Sequence, residues 1–234
     1  DIDKHHGWLE AGAKSLGFIT EKVLPRMHWF DLEAFLSCSR KQFDFSDTIT
    51  AQYPQCNLSQ MYAAMAYLKF YQLTSRTGDL QMAERVTDYL LLTQQVWRHP
   101  EITANTFGGF TVQNTDNEWS DVREGLIAVL LHRLYLATGR REYLERAVAA
   151  SKSGFPVLPY ENWAHNGYEG LQYDSSILWG GGVILTSAEY LEHEIGDLFV
   201  DAEGQWGLGT HGALITRVTL QGDALTVEAD IERC

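Results

Sequence analysis

Between residues 108 and 121 the chain reads GGFTVQNTDNEWSD, with five acid or amide side chains, Asn114, Asp116, Asn117, Glu118 and Asp121, inside eight positions around Trp119. Carboxylates held this close repel, so burial and mutual charge can raise one pKa while its neighbour stays ionised. That asymmetry is what acid/base cleavage of a glycosidic bond requires. Asp116 and Glu118 are the acid/base candidates, and Asn114 a hydrogen-bonding group for a polar ligand. Asp121 has two readings: a spare carboxylate, or, with Glu124, a D-x-x-E capping box that starts a helix at Val122. Asp and Asn oxygens would also suit Ca²⁺, although the spacing fits no EF-hand, and no other cofactor is expected. The plainest alternative is a solvated acidic loop.

A second polar stretch, YENWAHNGYEG at 160–170, supplies Glu161, Asn162, Trp163, His165 and Tyr168. An indole can stack on the apolar face of a sugar ring at small entropic cost. His165 titrates near neutrality and would serve as a proton shuttle with Tyr168 as partner, although a lone loop histidine is more often structural. LWGGGV at 178–183 lacks the Gly-Lys-Ser/Thr ending of a phosphate loop. Its three glycines mark a helix start or a close approach, because inside a helix each costs about 1 kcal/mol against alanine. Trp179 would face the same cavity as Trp119 and Trp163, or pack in the core. His132 and His193 fall in helical stretches. No Ser-His-Asp order is diagnostic, and H-E-x-x-H is absent.

These residues belong to a chain of 234 residues with net charge −13, which argues against nucleic acid as partner. No apolar run approaches the roughly 20 residues that span a bilayer, and no signal peptide is visible. The first residue is Asp rather than Met, as in a mature or trimmed chain, so compartment is left open. Cys38, Cys56 and Cys234 form neither a disulfide framework nor a CxxC pattern.

The elements that must position the candidates read as helical hairpins. Met61, Met65, Leu68 and Leu73 make a stripe over Leu58–Thr74, and Gly78 in SRTGD is expected to end that helix. The next would start at Asp79 as N-cap and run towards Trp97. Val122, Leu126, Val129, Leu130 and Leu134 form another stripe, turned at ATGRRE into Tyr143, Leu144, Ala147 and Val148. A further helix, about Val183 to Glu194, ends at Gly196. Segments Trp8–Val23 and His28–Cys38 would be an earlier pair. The turn glycines Gly78, Gly139 and Gly196 recur at 61 and 57 positions, a period that implies stacked or ringed hairpins. Connectors 98–120 and 154–181 are long while turns within hairpins are short, so the connectors would collect at one end of a ring, where a site can form. After Asp197 the pattern changes to period two. ALITRVTL and ALTVEADI flank Gln221-Gly222-Asp223, a hairpin signal. We therefore expect a helical domain over 1–200 and a β segment over 201–234. That segment would pack on the helices or begin a β domain. The protein would be natively longer or assemble with itself, since a two-stranded hairpin is marginal alone.

GGFTVQNTDNEWSDVREGL, LYLATGRREYLERAV, YENWAHNGYEG and LWGGGVILTSAEYL together resemble the six-hairpin glycosidase-like α/α toroids, in the neighbourhood of glycoside hydrolases and polysaccharide lyases. The likeness covers roughly residues 57 to 212. It implies a mainly α fold, an α/α toroid of helical hairpins with a short C-terminal β-hairpin. It implies a carbohydrate ligand and a glycosidase-type hydrolase. Its second implication is a uronate-polysaccharide lyase, in which His165 would act as base and Tyr168 would protonate the leaving oxygen. Six hairpins at this repeat need about 360 residues, so the ring here would be incomplete. A third reading is then a helical-repeat binding module without catalysis.

Overall fold

The computed structural model describes residues 6–29, 45–98, 100, 105–114, 118–121, 125–156, 163–165, 178–210 and 212–231. The side chains of residues 6, 118, 119, 121, 163–165 and 178–181 lie outside this description. The fold is mainly helical, with antiparallel β-structure at the C-terminal end. Among the described residues six α-helices are formed: α1 (His6–Phe18), α2 (Asn57–Thr74), α3 (Thr77–Leu90), α4 (Ile127–Thr138), α5 (Arg141–Ser153) and α6 (Leu178–Ile195). The strands are β1 (Glu118–Asp121), β2 (Trp163–His165), β3 (Leu198–Asp201), β4 (Trp206–Gly209), β5 (Ala213–Gln221) and β6 (Ala224–Ile231). The chain divides into two compact units, 1–94 with 110–118, and 95–109 with 119–234.

In the first unit α2 and α3 pack as a hairpin around Met61, Ala64, Leu68, Ala83, Val86 and Leu90, all buried. Helix α1 runs on through a π-helical turn, Ile19–Val23. Tyr67 of α2 ties it down, its hydroxyl donating to Leu16 O at 2.9 Å and pairing with Thr20 Oγ1 at 2.8 Å. Burial pushes the Tyr67 phenol above its ordinary pKa. The α2–α3 turn differs from expectation. Ser75, at φ 57°, closes α2, and Gly78 lies inside α3. Asp79 is not the N-cap but a first-turn residue paired with Arg76 at 2.9 Å. Ser75 already supplies the left-handed residue that ends α2, so the chain re-enters a helix three residues early, with Arg76 rather than Asp79 at the N-cap. The following helix also stops short, giving way to a 3₁₀ turn at Leu91–Thr93 instead of reaching Trp97.

The second unit holds the α4–α5 hairpin, turned at Gly139 in the left-handed conformation as expected. Helix α6 packs against both helices and ends at Gly196, φ 70°. Between α6 and the expected hairpin stands one that the alternation did not signal: β3 pairs with β4 from Leu198↔Gly209 to Asp201↔Trp206. Asp201 fastens its turn, accepting from Gly204 N and from the Trp206 indole, each at 2.9 Å. The Gly204 N–H first, and then the indole and Arg141, hold its carboxyl below the usual range. Arg141 of α5 also stacks over the Trp206 ring at 4.3 Å. β5 and β6 pair through the two-residue loop Gly222–Asp223. Their register sets Ala213, Ile215, Val218 and Leu220 against Ile231, Ala229, Val227 and Leu225 on one face. Arg217 and Glu228 share the other. Val218 is buried, but Leu225, Val227 and Ile231 are exposed.

Among the described residues no helix is long and apolar enough to cross a membrane.

Candidate functional site

The connector that carries the first candidate stretch is laid along the start of α2. In the first unit Gln94 bridges Phe110 and Cys56 bridges Gln113, both antiparallel, and Asn57 N donates to Val112 O at 2.9 Å. Asn114 completes the seam. Its amide donates to Tyr53 O at 3.1 Å and to Gln52 Oε1 at 3.2 Å, and its oxygen accepts from Gln55 N at 2.9 Å. Three bonds to the 52–55 segment make Asn114 a clasp for the connector.

Beneath the clasp lies a buried amide network that sequence reasoning missed. Asn57 donates to Thr111 O at 2.6 Å and to Thr93 Oγ1 at 2.7 Å, and accepts from Gln60 Nε2 at 3.2 Å. Gln55 donates to the Tyr89 hydroxyl. Gln113 is wholly buried, and neither end of its amide has a hydrogen-bond partner among the described residues. Gln60 Oε1 is in the same condition. Burying such groups unpaired costs about 1–3 kcal/mol each. The signal available in the sequence was QCNLSQ at 55–60, with amides at the first, third and sixth positions of a segment opening an apolar helix.

The two glycines ahead of the acids have a packing reason. In the second unit Gly108 N donates to Gln95 O at 2.7 Å and Gln95 N to Gly109 O at 2.8 Å. Gly108 sits at φ +88°, and a Cβ there would lie 2.4 Å from the Ala149 carbonyl of α5. A Cβ on Gly109 would lie 2.1 Å from Ser120 Oγ. Only glycine lets this connector press against α5 and β1 together.

Candidates on two short strands meet through backbone pairing. β1, which carries Glu118, Trp119 and Asp121, forms a two-stranded sheet with β2, which carries Trp163 and His165. Asp121 is therefore a strand residue, and the helix expected at Val122 begins at Ile127. The partner strand of β1 lies more than 40 residues away in the chain. Trp179 stands in the first turn of α6, and the glycines that follow it open that helix. Asp116, Glu161, Asn162 and Tyr168 lie outside the described residues, as do the side chains of Glu118, Trp119, Asp121, Trp163, His165 and Trp179. Among the described residues no three His, Cys, Asp or Glu side chains gather to hold a metal ion.

Compared with known proteins, the chain matches no family model and no curated protein.

Proposed function

We propose that this is a carbohydrate-active protein of glycosidase type, built as an α/α toroid of helical hairpins. Asp116 and Glu118 are its acid and base, Asp121 or Glu161 its spare carboxylate. Trp119, Trp163 and Trp179 line the sugar path, with Asn162 as a hydrogen-bonding group. One observation carries the reading: β1 pairs with β2, so two polar stretches far apart in the chain run side by side. Turns of two residues inside the α2–α3 and α4–α5 hairpins agree with it.

In the hydrolytic reaction one carboxylic acid protonates the departing glycosidic oxygen. The other carboxylate activates water or attacks the anomeric carbon, according to whether the pair stands about 6.5–9.5 Å or about 5–5.5 Å apart. Incubation with a panel of oligosaccharides is expected to release reducing sugar, and Asp116→Asn or Glu118→Gln to lower the rate at least ~100-fold. Full rates in both variants would remove the assignment.

His165 on β2, beside β1, favours a second reading, elimination from a uronate polysaccharide with Tyr168 protonating the leaving oxygen. Elimination leaves an unsaturated product that absorbs in the ultraviolet and hydrolysis does not, so one absorbance trace separates the two. No turnover on any sugar would leave a helical binding module.

A further inference from the structure

Helix α6 is held to its neighbours by one short strip. Ile184, wholly buried, fits where α4 and α5 begin and end in glycine: Cβ atoms on Gly125 and Gly154 would lie 2.8 and 2.4 Å from Ile184 Cδ1. Among the described side chains of the helix, Ser187, Ala188 and Leu191 are also buried. A hydrogen bond joins the strip to α4, His132 Nδ1 with the Tyr190 hydroxyl at 3.1 Å, the rings edge to face with centroids 5.5 Å apart. His132 is 1% exposed, and its Nε2 has no hydrogen-bond partner among the described residues.

A neutral imidazole needs only one partner of each kind, but an imidazolium carries two N–H donors and a charge. At this position the second donor meets no acceptor among the described residues, and the ring is buried. Arg133, whose guanidinium lies 5.7 Å from the Tyr190 ring, adds like-charge repulsion. From α6 the opposing influence is Glu194, which favours the charged ring. Tyr135 of α4 and Tyr190 of α6 are the other titratable groups against it. Burial outweighs Glu194 and holds His132 below the ordinary histidine pKa.

We propose that α6 is an acid-released element: taking a proton on His132 is incompatible with its seat against Tyr190, so the helix detaches from α4 as the ring charges. The direction follows from linkage. The detached state binds a proton near pH 6.5 and the seated state resists it. Seating is therefore at full strength above that pH and weakens as pH falls below it. At pH 5.5 the opening equilibrium rises over its value at pH 7.5, by about tenfold at most. Because α6 directly follows the connector bearing β2, its release would also unfasten that connector. The proposal does not depend on the carbohydrate reading.

Amide hydrogen exchange of the whole chain, corrected for intrinsic rates, tests it. Protection over 182–195 is expected to drop from pH 7.5 to 5.5, by about tenfold at most. Protection in α2 and α3 is expected to hold, and His132→Asn to remove the pH dependence. In parallel, imidazole NMR of the unsubstituted protein reads His132 directly, whatever the variant's stability. The proposal is overturned if all helices lose protection alike, if the variant keeps the pH response, or if His132 titrates near 6.5 without any change in α6.

Discussion

At the scale of single residues the chain separates glycines that look alike on paper. Gly108 combines a left-handed φ with a backbone carbonyl in the way, so Gly108→Ala is expected to cost about 3 kcal/mol, strain and overpacking together. Gly78 stands in α3 with open space about it, and Gly78→Ala should stabilise by about 0.5–1 kcal/mol. Thermal or urea melts of the two variants, moving in opposite directions, check both values. Asn57→Leu would strand Thr111 O and the Gln60 amide in the interior, and a loss of about 2–4 kcal/mol is expected in the same melts. Why two glycines stand here was not legible beforehand, since the atoms that demand them belong to Ala149 and Ser120, remote in sequence. The amide network was hidden for the opposite cause: Gln and Asn at the head of a helix read as surface residues until a second segment covers them.

At the scale of elements, periodicity located the α2–α3 and α4–α5 hairpins well because each buries a wide stripe and its turn lies within a few residues. Helix ends were less legible. Several residues in SRTGD can adopt a left-handed or capping conformation, and packing chooses among them. β1 and β2 are three or four residues long and have no alternation to reveal them; each is a strand only because the other is present. β3–β4 escaped for a similar reason, its turn held by the Asp201 carboxylate. The β5–β6 hairpin was legible in full, but its burial is lopsided: Val218 and Val227 pair across the strands, yet they are 5% and 38% exposed. Val218→Ala should therefore cost about 1–2 kcal/mol and Val227→Ala under about 0.5 kcal/mol, read from paired denaturation curves. Equal losses would mean that β6 is covered in solution.

At the scale of the whole molecule, the boundary expected near residue 200 followed a change of pattern, from helical period to alternation. The division by contacts follows a different logic, since the connector of 94–118 serves both compact units in turn. Sequence pattern reports which elements form, and says little about which of them share a core when one loop visits two. That shuttling has a consequence for how the chain is made. Residues 52–94 leave the ribosome before the 110–114 stretch that occupies the Asn57 amide and pairs with Cys56, so the early helices must wait, with an open polar seam, until residue 114 has emerged. Maturation of the N-terminal unit is thereby timed by a stretch of chain synthesised after it.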